Sequence, residues 1–133
     1  MSWTYDAYMT LMTPTTLINP IPKRGDVVLA LFPNADLRSA KPRLAVVVQI
    51  NDLDGGLPQM VVAMITSQIA RAGHPSRVLL RLESDEGSQS GLQCDSVVMT
   101  DNLATIKIAV VSRVIGTVPM ETIDRALRHT LGL

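Results

Sequence analysis

The chain has 133 residues, and its 12 basic and 12 acidic side chains give a formal net charge of zero. Apolar residues make up 47% of it, which favours a single globular domain over a disordered chain. A protein that grips long duplex DNA by its backbone is usually more basic, and every apolar run is too short to span a bilayer. The start resembles no secretory signal and the single cysteine, Cys94, excludes an internal disulfide, so we expect a cytoplasmic protein.

The first 22 residues differ in composition from the rest of the chain. They hold three of the four aromatic side chains, Trp3, Tyr5 and Tyr8. Prolines recur from Pro14 to Pro22, a pattern that excludes a helix interior or a central strand there. We therefore predict a flexible or surface-draped arm at 1–22 and one domain at 23–133.

The elements that follow are mostly short strands. Apolar or alternating runs predict strands at 26–32, 44–50, 60–66, 77–82, 96–100 and 105–115. Residues 119–131 predict the one clear helix, because apolar residues recur there at helical spacing: Met120, Ile123, Leu127 and Leu131. Crossover helices are missing, so we expect a mainly β protein of the α+β class, with a strongly bent antiparallel sheet or small barrel and a terminal helix.

A basic segment precedes the second strand. Residues 23–43 have a local charge of +3, from Lys23, Arg24, Arg38, Lys41 and Arg43 against Asp26 and Asp36. Arg43 stands where the apolar strand begins, and a guanidinium matches phosphate oxygens in a bidentate manner. The third strand ends in Thr66-Ser67-Gln68, which supplies hydroxyl and amide groups. The combination favours a phosphodiester ligand, although Arg43 could instead pair with Asp36 and Thr66 could serve strand propensity alone.

Several short motifs, in their order and spacing, resemble the MazF/PemK family of toxin endoribonucleases. The resemblance covers roughly residues 23–133. Its motifs are Gly25-Asp26-Val27-Val28, Phe32-Pro33 before Asp36, Lys41-x-Arg43 before the apolar run 44–47, Ile65-Thr66-Ser67-Gln68, Asp95-Ser96-Val97-Val98, Thr105-Ile106, and Arg113-x-x-Gly116 before the helix.

This resemblance implies a fold, an activity and partners. The fold would be a small SH3-like antiparallel β-barrel with a C-terminal helix, usually a homodimer that binds a cognate antitoxin. The activity would be cleavage of single-stranded RNA without metal or cofactor, by 2′-hydroxyl attack that leaves a 2′,3′-cyclic phosphate. Arg43 matches the family's active-site arginine and Thr66 its active-site threonine. They would stabilise phosphate charge and hydrogen-bond a phosphate oxygen, respectively.

Other polar residues are secondary candidates for RNA binding or acid–base chemistry: Arg24, Asp36, Arg38, Lys41, Ser67, Gln68, His74 and Asp101. Asp101 could accept the 2′-hydroxyl proton or be a solvated turn residue. His74 is an acid–base candidate because histidine titrates near neutrality, with a surface-loop histidine as the plainer interpretation. The sequence gives no reason to pair it with His129, and no Cys/His/carboxylate spacing indicates a metal site.

The chain also departs from the family pattern. Met99 and Ala104 stand where branches of the family carry arginine. Two alternatives to a ribonuclease therefore stay open: a catalytically weak or inactive member that binds protein or RNA, and a gyrase-inhibiting toxin on the same fold. The aromatic arm could stack on RNA bases, occupy the binding groove as an inhibitor, or be dispensable.

Overall fold

The structure, a computed structural model, describes residues 3–4, 21–33, 36 and 38–133. The strands are β1 (Trp3–Thr4), β2 (Asp26–Pro33), β3 (Ser39–Val47), β4 (Gln59–Thr66), β5 (Arg77–Leu80), β6 (Ser96–Lys107) and β7 (Val111–Thr117). The helices are α1 (Asp85–Ser88) and α2 (Glu121–Leu131), and 3-10 turns lie at Ile69–Arg71 and Ile108–Val110. The sheet order is β5-β6-β4-β3-β2-β7 with antiparallel ladders, and β1 pairs with the start of β3.

The predicted class, an antiparallel sheet with a terminal helix, is confirmed. One detail differs, because the sheet does not close into a barrel: no ladder between described residues joins β5 to β7. The segment that follows β5 packs against β7 instead, and the Thr117 amide donates to the Gln89 carbonyl over 2.9 Å. A Cβ on Gly116 would lie 2.2 Å from the Ser90 carbonyl carbon, so the approach requires glycine.

Strand β3 begins earlier than the sequence predicts. Its pairing with β2 runs back from Val46 to Ala40, so Arg43 lies within a strand and not in a loop before it. The Asp36 carboxylate starts the strand early, because it accepts the amides of Arg38 and Ser39 over 2.9 and 3.3 Å. Proline is tolerated at position 42 because, among the described residues, the ladders of β3 with β1 and β4 leave out residues 41–44.

The two strands predicted at 96–100 and 105–115 divide differently in the structure. Strand β6 runs without a break from Ser96 to Lys107, and a 3-10 turn at Ile108–Val110 then separates it from β7. Met64 pairs with Met99 while the preceding Ala63 pairs with Leu103. The residues at 100–102 therefore form a bulge. This polar stretch was predicted to end a strand, but β6 continues beyond it.

Buried side chains form two core clusters. One includes Val28, Ala30, Ala45, Val62 and Met64, and the other includes Val27, Val46, Ala63, Val98 and Ile123. Alternate residues of β2, β3 and β4 fall in different clusters, as expected when both faces of a sheet are covered.

Helix α2 covers the face of the sheet that carries the second cluster. Ile123 is fully buried and Leu127 is half-buried, as predicted for the apolar side of this helix. Leu131 remains 54% exposed, so the predicted apolar face is one turn too long. The helix ends at Gly132, which has φ 72° and donates its amide to the Arg128 carbonyl. Among the described residues, no helix is long and apolar enough to cross a membrane.

Most of the amino-terminal arm lies outside the described residues, as does a helical turn expected near residues 7–12. The structure describes its first strand, in which Trp3 pairs with Ala40 and Thr4 with Ser39. The functional hypotheses for the arm stay predictions.

Candidate functional site

Arg43 and Thr66, the two principal candidates, lie on neighbouring strands, just beyond the end of the ladder that joins them. Ala45 of β3 pairs with Met64 of β4 at the last step of the ladder. Arg43 stands two residues before Ala45 and Thr66 two residues after Met64, so continuing the antiparallel register sets them opposite each other. Opposite residues of an antiparallel pair share one face, with Cβ atoms typically ~5 Å apart. The fold therefore sets these residues, 23 positions apart in the sequence, on one face of neighbouring strands, each two residues beyond the last β3–β4 pair.

The Arg43 guanidinium is exposed and open to a ligand. Its backbone is held by β2, where it pairs with the fully buried Ala30. Within the part of the chain that the structure describes, Arg43 has no carboxylate within ion-pair distance. Its charge and its five N–H donors are therefore available to an anion.

Thr66 is prepared as a hydrogen-bond donor. Its side chain is half-buried, and its Oγ1 accepts the Gln68 amide over 3.2 Å. This contact uses an acceptor lone pair and leaves the hydroxyl proton free to donate. Ser67 and Gln68 are both exposed beside it, at the end of β4.

The turn before β3 supplies further positive charge. Arg38 and Lys41 are exposed, and Lys41 lies on β3 opposite Phe32. Asp36 does not pair with Arg43; it caps the turn, and the backbone amide of Arg38 lowers the pKa of its carboxyl group. The capped turn is thus followed, on β3, by two exposed cations, Lys41 and Arg43.

Arg24 lies apart from these residues. Its guanidinium forms a bidentate ion pair with Asp124 of α2, and its Nε donates to the Val48 carbonyl over 3.0 Å. Both side chains border an open groove of about 430 Å³ beside α2, which contains neither Arg43 nor Thr66. Arg24 therefore fastens the helix to the sheet.

Asp101 is held by Arg77, which the sequence reasoning had not singled out. Arg77 Nη2 and Nε donate to the two carboxylate oxygens over 2.9 and 3.4 Å. The hydrogen bond from Arg77 lowers the pKa of the Asp101 carboxyl group, so the group is a weaker base than a free aspartate. This pairing makes Asp101 a poor acceptor for a 2′-hydroxyl proton.

The two histidines meet, which no sequence pattern predicted. Their ring centroids lie 6.1 Å apart at an interplanar angle of 71°. His74 Nδ1 accepts the Ser76 amide over 3.0 Å, which leaves Nε2 as its outward nitrogen. Both side chains are exposed, and the pair links the loop before β5 to the end of α2.

The structure adds one further cation near the site. Arg71 ends the 3-10 turn that follows Gln68, and its Nη1 lies 3.6 Å from Met99 Sδ. Met99 pairs directly with Met64, two residues from Thr66. In the sequence Arg71 is only a single arginine five residues beyond Thr66. Its position near the site becomes visible only from the pairing of β4 with β6.

The described residues contain no group of three or more histidine, cysteine or carboxylate side chains that could hold a metal ion. Cys94 is an exposed free thiol in a different part of the chain. The side chains placed near Thr66 supply hydroxyl, amide and guanidinium groups.

Fold and site together define a small antiparallel β-sheet protein with exposed arginines that have no carboxylate partner among the described residues. The family model for PemK-like, MazF-like toxins of type II toxin–antitoxin systems matches residues 23–131. The chain belongs to this family. A comparison with curated protein sequences finds no match.

Solved structures agree with this fold. One neighbour is an endoribonuclease in complex with its cognate antitoxin from a mycobacterial species, with TM-score 0.65, 22% identity, and coverage of 84% of this chain and 96% of that one. Another is the Mycobacterium tuberculosis toxin MazF-mt6, with TM-score 0.63, 22% identity, and coverage of 81% and 97%. A MazE–MazF structure from Deinococcus radiodurans gives TM-score 0.64, 21% identity, and coverage of 86% and 99%.

Proposed function

We propose that this chain is a toxin-type endoribonuclease that cleaves single-stranded RNA. The observation that carries the proposal is the placement of Arg43 and Thr66 on one face of neighbouring strands, each two residues beyond the last β3–β4 pair, with no carboxylate among the described residues paired to the arginine. Family membership supports the same conclusion, and the structural neighbours include an endoribonuclease and a MazF toxin.

In the proposed reaction the ribose 2′-oxygen attacks the adjacent phosphorus. The bond from the 2′-oxygen to phosphorus forms as the bond from phosphorus to the 5′-oxygen breaks, which leaves a 2′,3′-cyclic phosphate and a 5′-hydroxyl. The 2′-hydroxyl proton leaves to solvent, and the 5′-oxygen takes a proton from solvent. Negative charge grows on the non-bridging oxygens, where Arg43 supplies charge and N–H donors and Thr66 donates its hydroxyl proton.

Single-stranded RNA fits this face better than a duplex. The exposed cations described near the site are few, Arg38, Lys41 and Arg43 with Arg71, and the chain as a whole carries no net charge. Such a surface can hold a few phosphates but lacks the broad basic surface typical of duplex binding. We also expect a cognate antitoxin, since structural neighbours contain one, and a homodimer, as family membership implies.

The direct test is to incubate the purified protein with a long single-stranded RNA in EDTA and to map the new ends. We expect discrete cuts with 2′,3′-cyclic phosphate ends from the wild type and from Arg125→Ala, which changes an exposed arginine of α2. Arg43→Ala should lose the cuts while keeping the wild-type melting temperature. Cleavage that survives this substitution would contradict the proposal. A folded wild type that binds RNA without cutting it, with or without residues 1–20, would indicate a binding module instead.

A further inference from the structure

We propose that Arg71 is a second substrate-binding arginine, which takes an RNA phosphate next to the scissile one, and that Arg77 positions it. This inference rests on the proposed ribonuclease function and names a further residue of the same site. The inference is based on the position in which the 3-10 turn after β4 holds the Arg71 guanidinium.

The Arg71 guanidinium lies on the same sheet face as Thr66. Its Nη1 is 3.6 Å from Met99 Sδ, and Met99 pairs across strands with Met64. Met64 and Thr66 are two residues apart on β4, so they share a face and Met99 is a diagonal neighbour of Thr66, typically ~7–8 Å away. Because β4 lies between β3 and β6, Thr66 has Arg43 on one side and the Arg71 guanidinium on the other.

The backbone around Arg71 is fixed by a series of hydrogen bonds that begins at Thr66. Thr66 Oγ1 accepts the Gln68 amide, and the Gln68 carbonyl accepts the Arg71 amide over 3.0 Å. The Arg71 carbonyl then accepts Nη1 of Arg77 over 3.2 Å. The turn therefore carries Arg71 in fixed relation to the hydroxyl that the reaction would use.

The guanidinium itself has only a weak partner. Thioether sulfur is a poor acceptor, and across the described ranges Arg71 has no carboxylate within ion-pair distance. Arg77, on the edge strand β5, is in contrast paired with Asp101 of the neighbouring strand β6. A phosphate could replace the sulfur contact of Arg71 at little cost, whereas Arg77 would have to give up a carboxylate. These partners assign phosphate binding to Arg71 and positioning to Arg77.

The test uses a single-stranded RNA that contains one mapped cleavage site, with a 2′-deoxy sugar at the cut so that it binds without reacting. Its Kd is measured at several salt concentrations for the wild type, Arg71→Gln and the matched control Arg125→Gln. We expect Arg71→Gln to weaken binding about tenfold or more, as for a lost charged hydrogen bond. The log–log salt slope should become shallower by about 0.7, one phosphate contact on a single strand. Arg125→Gln should stay within about twofold of wild type.

Two further variants separate binding from a structural effect. Arg71→Lys should keep the wild-type salt slope but recover only part of the affinity, because lysine keeps the charge and loses the planar fork. Arg77→Gln should weaken binding in the wild-type background and have no further effect in the Arg71→Gln background, as expected if it acts through Arg71.

The outcomes distinguish this inference from the proposed function. If the wild type cuts RNA and Arg71→Gln binds with wild-type affinity and salt slope, the role of Arg71 is refuted and the ribonuclease proposal stands. If the wild type neither cuts nor binds single-stranded RNA, both fall together.

Discussion

Arginine side chains on the two faces of this sheet differ in whether they form an ion pair. On the face covered by α2, Arg24 is paired with Asp124 and further held by the Val48 carbonyl. On the opposite face, Arg43 and Arg71 are exposed, and the described chain pairs neither with a carboxylate. An ion pair satisfies a cation internally, whereas an unpaired cation keeps its attraction for an external anion. The difference separates an arginine that fastens an element from arginines suited to hold a ligand.

The largest expected effect comes from removing the unpaired cation opposite Thr66. Arg43→Ala should slow single-turnover RNA cleavage by about 100- to 1,000-fold, the cost of losing a donor to developing oxyanion charge. Arg43→Lys should recover part of this rate, because it keeps the charge without the bidentate geometry. Rates are compared at saturating protein so that weaker binding does not mimic slower chemistry; an unchanged rate in Arg43→Ala would remove Arg43 from the site.

Removing the hydroxyl should have the next largest effect on the reaction. Thr66→Val keeps a β-branched shape but lacks the proton donor, and it should lower the cleavage rate by about 10- to 100-fold. Thr66→Ser keeps the hydroxyl and serves as the control. If valine and serine behave alike, Thr66 contributes to the strand only.

Removing the ion pair between Arg24 and Asp124 should lower the stability of the fold and leave the rate of RNA cleavage unchanged. Arg24→Met removes the ion pair and the bond to Val48, and it should lower the free energy of unfolding by about 1–2 kcal/mol, since the pair is partly solvated. Denaturant midpoints measure the loss. Cleavage per folded molecule should stay at the wild-type level, and a selective loss of cleavage would mean that Arg24 belongs to the site after all.

The smallest effect concerns the pH dependence of stability. Arg77 lowers the pKa of Asp101 below its unfolded value near 3.8, so the unfolded state binds more protons between those two values. The pair therefore stabilises the fold above about pH 4, and this contribution is lost as the pH falls through the lowered pKa. Asp101→Asn should cost less than about 1 kcal/mol at pH 7 and nothing at the acid end. Unfolding measured from pH 3 to 7 tests this, with a pH-independent difference as the contrary result.

Local patterns predicted some elements well. The prediction of a strand at 26–32 succeeded because the apolar run there has no polar interruption after Asp26. The run is continuous because two different clusters bury the two faces of β2. The terminal helix is recognisable from Ile123 and Leu127 at helical spacing. In contrast, β3 was predicted to begin too late because Lys41 and Pro42 suggest a loop. An edge position makes both acceptable in a strand.

The candidate site was only partly predictable. Arg43 and Thr66 could be singled out because each ends or begins an apolar run and matches a family motif. The locations of Arg71 and of the two histidines depend on the bulge in β6 and on the packing of α2 against the sheet edge. Such contacts join residues that are far apart in the chain, and no local periodicity contains them.

The edge of β3 has a consequence for solubility. Among the described residues, 41–44 have no ladder on the side of β3 that pairs with β1 and β4, and an unpaired strand edge invites pairing with another molecule. Here that stretch carries two positive charges and a proline without an amide proton, which are devices that prevent intermolecular strand addition. The side chains suited to attract a polyanion are thus also of the kind that discourages strand addition at an edge. A variant that neutralises Lys41 and Arg43 together would expose an edge that only Pro42 still interrupts.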